Sequence, residues 1–394
     1  MELRTEDDEY VVEGGTREIK TWDDLGLQDE LLRSIYAYGF ENPSDIQKKA
    51  IGPIKEKRDL IAQAQSGTGK TGAFAVGALS LLDLTSKTTQ IIVLAPTHEL
   101  VVQIHKVFCS LSSFMEGIVI RTMVGGTAVA EDIQEIRANV PHVVVGCTGR
   151  VFDMIKRRAL NVRDLKLCVL DEADEMLSVG FKDQIYNIFQ QLPSEVQIAL
   201  FSATMPPSIL QLTERFMRDP VKITMKPREL NLDGIKQYFI AIHNDYDKIE
   251  CLKDLFSRLT ISQTIIYAND VRRVRDLYDV MVKDGFSVCC IHRDMSKQER
   301  HETITKFRDG RFRVLISSNI TARGIDVQQV NTVINFDIPR SVDTYLHRIG
   351  RSGRWGRKGI AVNFVTKPDI RQMKNIEQHY GVTVEEMPAE LEFY

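Results

Sequence analysis

No apolar run in this 394-residue chain approaches the ~20 consecutive residues that a membrane-crossing helix needs. The longest candidate, GAFAVGALSLL after Lys70, reads as a buried helix, so no membrane partner is expected. Cysteine is sparse: the six, at 109, 147, 168, 251, 289 and 290, include no C-x-x-C pair and no histidine at zinc-ligand spacing. That pattern argues against a disulfide framework or structural zinc and for a reducing compartment. A dominant charge sign is missing too. With 51 Lys and Arg against 54 Asp and Glu, the net charge of −3 excludes whole-surface attraction to phosphate, and any nucleic acid must be held by local contacts. The opening MELRTEDDEY is acidic and polar where a secretory leader would be basic and then apolar, so no leader is expected.

What is present is a rhythm. Short apolar runs recur with room for a helix between them, as in parallel sheets made of βαβ units. In the first half these are 59–63, 90–95, 142–146, 167–171 and 198–203, with amphipathic stretches such as Leu100 to Leu111 and Gln184 to Gln191 between them. The second half repeats the pattern at 263–268, 286–292, 313–318, 332–337 and 359–365. The expected fold class is α/β, with two tandem domains, each a parallel sheet flanked by helices. Residues 1–20 read as a disordered tail, 21–224 as the first domain, 225–234 (MKPRELNLDG) as a short polar linker and 235–394 as the second domain.

Two motifs in the first half carry chemistry. Ala64-Gln65-Ser66-Gly67-Thr68-Gly69-Lys70-Thr71 follows a strand and opens a helix, the context a phosphate-binding loop requires. Its glycines turn backbone N–H groups toward phosphates, Lys70 supplies positive charge, and the Thr71 hydroxyl can ligate Mg²⁺. Asp171-Glu172-Ala173-Asp174 ends the apolar strand KLCVL, so its carboxylates emerge at the same edge of the sheet. Asp171 is assigned to Mg²⁺ and Glu172 to orienting and deprotonating the attacking water. A guanine-reading N-K-x-D element is absent, which favours ATP over GTP.

Together with GFENPSDIQ (39–47), Ser202-Ala203-Thr204, ARGID (322–326) and HRIGRSGR (347–354), these motifs stand in the order and spacing of DEAD-box RNA helicases, which the chain resembles over about residues 20 to 390. The stretches LLRSIYAYGFENPS and ARGIDVQQV are similar to the group around translation initiation factor 4A, while GRVFDMIKRR and DIRQMKNIEQHY look nearer its nuclear relatives. The resemblance implies two RecA-like domains. It implies that Phe40 stacks on adenine with Trp22 as an upstream aromatic, and that Gln47 bonds the adenine edge. Gly324 and Asp326 would touch the ribose, and Arg351 and Arg354 would act as arginine fingers. Asp174, Ser202, Thr204 and His347 would couple the ATP site to RNA.

The same resemblance assigns the grip on single-stranded or partly duplex RNA, through its sugar-phosphate backbone, to Pro96, Thr97, Glu99, Gly125, Gly126, Gly149, Arg150, Arg300 and Ser318. Here the sequence departs from the family pattern. P-T-R-E-L has His98 in place of its arginine, T-P-G-R reads Cys147-Thr148-Gly149-Arg150, H-G-D has Arg293, Q-x-x-R begins with Lys297, and T-D reads Ser318-Asn319. A weakened RNA grip is expected from His98, Cys147 and Asn319, offset by the charges of Arg293 and Lys297. The implied function is ATP-dependent RNA unwinding in ribosomal RNA maturation, messenger RNA processing or translation initiation. The alternative is an ATP-gated RNA clamp that scaffolds a ribonucleoprotein. Regulatory protein partners and a monomeric state are expected. The nuclear stretches predict a nuclear or nucleolar location, with the cytoplasm as alternative.

Overall fold

The structure is a computed structural model that describes residues 10–15, 19–65, 67–178, 180–225, 235–258, 263–319, 330–352 and 359–388. The chain divides into two compact units, Met1–Lys226 and Pro227–Tyr394.

In the first unit the elements run β1 (Tyr10–Glu13), α1 (Asp29–Ala37), α2 (Asp45–Lys55), β2 (Leu60–Gln63), α3 (Lys70–Ser80), β3 (Ile91–Leu94), α4 (His98–Leu111), β4 (Ile120–Met123), α5 (Val129–Ala138), β5 (Val143–Gly146), α6 (Thr148–Lys156), β6 (Leu167–Leu170), α7 (Ala173–Ser178), α8 (Lys182–Phe189), β7 (Gln197–Ser202), α9 (Pro207–Phe216) and β8 (Val221–Met225). The strands form one sheet in the order β1-β8-β2-β7-β6-β3-β5-β4, parallel throughout except for β1, which pairs antiparallel with β8. Alternate side chains of the central strands enter separate cores. Leu60, Ala62, Ile91, Val93, Leu167, Val169, Ala199 and Phe201 pack under α1 to α4. Ile61, Ile92, Leu94, Cys168, Leu170, Ile198 and Leu200 pack under α6 to α9. Burial on both faces is why these strands read as unbroken apolar runs.

The tail expected over 1–20 is corrected at 10–13, because Tyr10 is buried and the segment lies in register from Tyr10↔Met225 to Glu13↔Lys222. Met225, expected in the linker, is the last residue of β8. The rest of that linker, 226–234, lies outside the described residues.

The second unit runs β9 (Ile235–Ala241), α10 (Asp247–Arg258), β10 (Gln263–Tyr267), α11 (Val271–Lys283), β11 (Val288–Ile291), α12 (Lys297–Arg308), β12 (Val314–Ser317), β13 (Val330–Asn335), α13 (Val342–Ile349), β14 (Gly359–Val365), α14 (Ile370–Tyr380) and β15 (Glu385–Glu386). Its sheet, β11-β12-β10-β13-β14-β9-β15, is wholly parallel. Helices again cover both faces. Ile265, Leu315 and Val333 pack with Phe307, Tyr345 and Ile376, while Ile266, Ile316 and Ile334 pack with Leu252, Val274 and Leu277.

Candidate functional site

In the first unit β2, β7 and β6 are neighbours in the sheet, and their carboxyl ends lead into the phosphate loop, Ser202–Thr204 and Asp171–Asp174 respectively. Strand order therefore gathers three sequence-distant motifs at one edge, where open α/β sheets bind ligands. The junction is stapled: the Ala64 N–H donates to the Ser202 carbonyl at 3.0 Å and Gln63 Nε2 to the Ala203 carbonyl at 3.3 Å.

The loop closes on α3 through Gly67 and Gly69, with φ of 86° and 100°, a conformation glycine adopts without the Cβ penalty. Thr68 Oγ1 donates to the Gln65 carbonyl at 2.9 Å. From outside the loop, Ser44 Oγ donates to the Thr68 carbonyl at 2.9 Å and Gln47 Nε2 to the Gly69 carbonyl at 3.2 Å. Ser44 and Gln47 also form the capping box of α2, the Ser44 N–H donating to Gln47 Oε1 at 2.8 Å. Gln47, expected to read adenine, is thus buried as a brace of the phosphate loop in this structure. Ser44 was absent from the expected site, although S-x-x-Q before an apolar run is a readable capping signal. Phe40 stacks on the buried Trp22 ring, with centroids 6.0 Å apart and planes 9° apart, and Tyr38 meets it edge-on.

Lys70 lies buried with its Nζ 3.5 Å from Glu172 Oε1. Asp171, Glu172 and Asp174 are all buried. Burial first, and then the neighbouring Glu172 carboxylate, push the Asp171 carboxyl well above its ordinary range, while Lys70 pulls it down. The chain turns sharply from β6 into α7 at Glu172, whose φ is 50°, a left-handed conformation that costs a non-glycine residue about 1–3 kcal/mol and is concentrated at functional sites. Thr204 Oγ1 donates to Asp174 Oδ2 at 2.7 Å, and the Asp174 N–H donates to Ser202 Oγ at 3.3 Å. These contacts join three of the four expected coupling residues directly.

The acidic residues outnumber the one cation among them, an imbalance that a hard divalent cation would relieve. The Asp171 carboxylate and the half-buried Thr71 hydroxyl supply the oxygen donors that Mg²⁺ prefers.

The other half of the same sheet, β3, β5 and β4, leads into the expected RNA residues. Pro96 to Glu99 follow β3 and are half-buried, with Thr97 Oγ1 capping α4 by accepting from the Leu100 N–H at 3.3 Å. Gly125 and Gly126 are exposed after β4, and Gly149 is exposed at the start of α6. Arg150 is turned inward: its guanidinium donates to Thr127 Oγ1 at 2.8 Å, to the Thr127 carbonyl at 2.9 Å and to the Asp132 carboxylate. It fastens the glycine turn to α6, a role the sequence did not reveal because Thr127 and Asp132 belong to no recognised motif. Cys147 holds the N-cap position of α6, and Thr148 Oγ1 donates to Gln184 Oε1 at 2.9 Å.

In the second unit Arg300 lies half-buried on α12, Ser318 is buried after β12, and His347 and Arg351 are buried at the end of α13. Ser66, Gly324, Asp326 and Arg354 lie outside the described residues.

Residues 44–212 match the family described as DEAD/DEAH box helicase, and residues 247–356 match the helicase conserved C-terminal domain. The chain belongs to the DEAD-box helicases, ATP-dependent RNA helicases with two RecA-like domains. Within them it is similar to eukaryotic initiation factor 4A of Caenorhabditis elegans, 49% identical over 386 residues that cover 98% of this chain and 96% of the relative. Among solved structures it is similar to S. cerevisiae Dbp5 bound to RNA and ADP BeF3, at 35% identity over 94% of this chain and 96% of that one, with a TM-score of 0.86. A Dbp5 variant bound to a Gle1 variant and IP6 aligns at 34% identity over 95% and 96%, with a TM-score of 0.77. The similarity to an initiation factor corrects the nuclear or nucleolar location expected from GRVFDMIKRR and DIRQMKNIEQHY, since initiation of translation is cytoplasmic. Those two segments fall largely on helices α6 and α14.

Proposed function

We propose that this chain couples ATP hydrolysis to RNA binding and local duplex parting in translation initiation. The observation that carries the reading is the buried cluster of Lys70, Asp171, Glu172 and Asp174 beneath a braced phosphate loop, with Asp174 tied to Thr204. Initiation is the favoured process because the curated relative at 49% identity is an initiation factor.

In this reading the N–H groups of the loop and Lys70 hold the phosphates, and Phe40 supports the adenine. Mg²⁺, held by Thr71 and Asp171, neutralises phosphate charge when bound. Glu172 orients the attacking water and accepts its proton, because phosphoryl transfer needs positioning and charge stabilisation more than covalent chemistry. Arg351 and Arg354 supply positive charge to the transferred phosphoryl group, and Gly324 and Asp326 the ribose contacts. Asp174, Ser202, Thr204 and His347 carry the coupling to RNA. The RNA backbone runs over the ends of β3, β5 and β4 and over Arg300 and Ser318, giving little sequence preference. Solved relatives bound to RNA, and to Gle1 and IP6, support RNA and regulatory proteins as partners.

Steady-state ATP hydrolysis with and without single-stranded RNA tests the proposal, beside single-stranded DNA and the Glu172→Gln variant. Stimulation by RNA above DNA, abolished in Glu172→Gln, is the expected result. ATP binding with no RNA stimulation would refute the coupled enzyme and leave a nucleotide-gated clamp. His98 replaces a fixed cation with an imidazole, so His98→Arg is expected to raise RNA affinity; unchanged affinity would remove His98 from the RNA surface.

A further inference from the structure

Arg348 is the most deeply buried cationic side chain among the described residues. All five of its N–H donors are satisfied by neutral oxygens. Nε and Nη2 both donate to Asn319 Oδ1, at 2.9 and 2.6 Å, and Nη2 also donates to Asn269 Oδ1 at 2.8 Å. Nη1 donates to Asn335 Oδ1 at 3.1 Å and to the Asp337 carbonyl at 2.8 Å. The guanidinium lies over the Tyr267 ring, 5.1 Å from its centroid. The nearby Asp337 carboxylate is engaged elsewhere, by Lys248 at 3.2 Å and Arg273 at 2.7 Å. A buried guanidinium ordinarily takes a carboxylate, since an uncompensated buried charge is costly. Here three asparagines stand in that role.

These acceptors sit at the carboxyl ends of β10, β12 and β13, so one side chain ties the last turn of α13 to three strands. Arg351 depends on that turn. Its N–H donates to the Arg348 carbonyl at 3.2 Å, and its Nε donates to the His347 carbonyl at 3.4 Å. What holds residues 347–348 therefore bears directly on where Arg351 is held.

We propose that Arg348 is a positioning residue for Arg351, and that Asn319 sets its grip by accepting two of its hydrogen bonds without neutralising its charge. This rests on the reading that Arg351 meets the nucleotide phosphates. Asn319 departs from the family pattern, and the structure gives that departure an internal meaning: its oxygen faces Arg348, so the substitution bears on ATP turnover where the sequence pattern suggested RNA grip. A neutral partner holds the guanidinium in place and leaves the surroundings of Arg351 more positive, which favours a polyanionic ligand.

The test uses the full chain and resolves kcat from KM for ATP in RNA-stimulated hydrolysis. Asn319 is exposed as a residue, so its replacement opens no cavity in the apolar core, and the loss of its oxygen falls on Arg348. Asn319→Ala is expected to lower kcat about tenfold, as misplacement of a catalytic group does, with KM within about twofold of the parent. Asn319→Asp restores the acceptor and is expected to recover kcat while raising KM for ATP, because it cancels the local positive charge. Arg348→Lys, which keeps charge and loses the five-bond fork, is expected to behave as Asn319→Ala does. Arg351→Gln is measured beside them. Unchanged turnover in Arg351→Gln removes the reading on which the proposal rests. Lost turnover in Arg351→Gln, with parental kcat in both Asn319→Ala and Arg348→Lys, overturns the proposal alone.

Discussion

Replacing Gly72 with alanine should destabilise this protein, against the usual effect of that exchange in a helix. Inside a helix such as α3, Gly→Ala ordinarily gains about 0.8–1.0 kcal/mol. At Gly72 the added methyl would lie 2.6 Å from Gln47 Nε2 and 3.0 and 3.2 Å from two atoms of the Phe40 ring. Gln47 cannot simply withdraw, because its amide is engaged by the Ser44 N–H and the Gly69 carbonyl. Overpacking of this kind costs about 1–3 kcal/mol, so the net loss is about 1 kcal/mol. The consequence for function is of comparable size. Displacing Gln47 gives up its bond to the phosphate loop, a net term of about 0.5–1.5 kcal/mol, which weakens ATP binding roughly two- to tenfold. Gly77→Ala is the comparator, since its methyl would meet Ile54 at 2.8 Å and no residue of the phosphate loop. Thermal denaturation and titration with a fluorescent ATP analogue, well below the melting midpoint, separate the two. Gly77→Ala should lose stability and keep ATP affinity, whereas Gly72→Ala should lose both. A Gly72→Ala protein that melts higher than the parent and binds ATP equally well would refute the brace assigned to Gln47.

Three further outcomes are expected. Thr204→Val removes the donor to the buried Asp174 carboxylate, a bond to a charged group worth about 1.5–3 kcal/mol, and should depress RNA-stimulated hydrolysis more than the basal rate; equal losses in both rates would show that the contact only stabilises the fold. Cys147→Thr places a good acceptor at the N-cap of α6 and should stabilise the chain by about 0.5–1 kcal/mol, read as a raised melting temperature; a lowered one would contradict the capping geometry. His142 and His292 are held neutral, the first chiefly by burial and the second by burial and then by Arg275, so both titrate below the ordinary histidine range. The folded state then binds fewer protons than the unfolded one, and the stability these residues contribute is present above the unfolded pKa of about 6.5 and is lost as pH falls toward the folded values. Asp171, pushed upward, acts in the opposite sense over the same range, so the comparison is with a His142→Asn, His292→Gln double variant. Between pH 7 and 5.5 the parent should lose more stability than the variant; parallel curves would exclude the histidines.

The central strands were legible because they are buried on both faces and carry unbroken apolar runs, as at Ile91–Leu94 and Val143–Gly146. The strands that escaped are those the sheet buries less completely. Ile120–Met123 lies at the sheet edge with mostly half-exposed side chains, and Val221–Met225 and Ile235–Ala241 interleave lysine or glutamine with their apolar residues. The phosphate loop and Asp171–Asp174 were legible as contiguous motifs. Ser44, Thr127 and Asp132 act through contacts made across the fold, and the clamp on Arg348 draws Asn269, Asn319 and Asn335 from three strand ends. Convergence of that kind leaves no local pattern in a sequence.

The first sheet also explains why the departures from the family pattern in that unit collect where they do. In our reading the phosphate-side and coupling residues of this unit hang from β2, β7 and β6, and His98 and Cys147 follow β3 and β5. The two groups share a seam between β6 and β3, where the Asp171 N–H donates to the Leu94 carbonyl at 3.0 Å. Side chains that follow β3 and β5 hang from different strand ends than the phosphate loop does, so one sheet edge carries two separate surfaces. A shift of the backbone at Asp171 is shared between them: it passes to Leu94 through that hydrogen bond, two residues from Pro96.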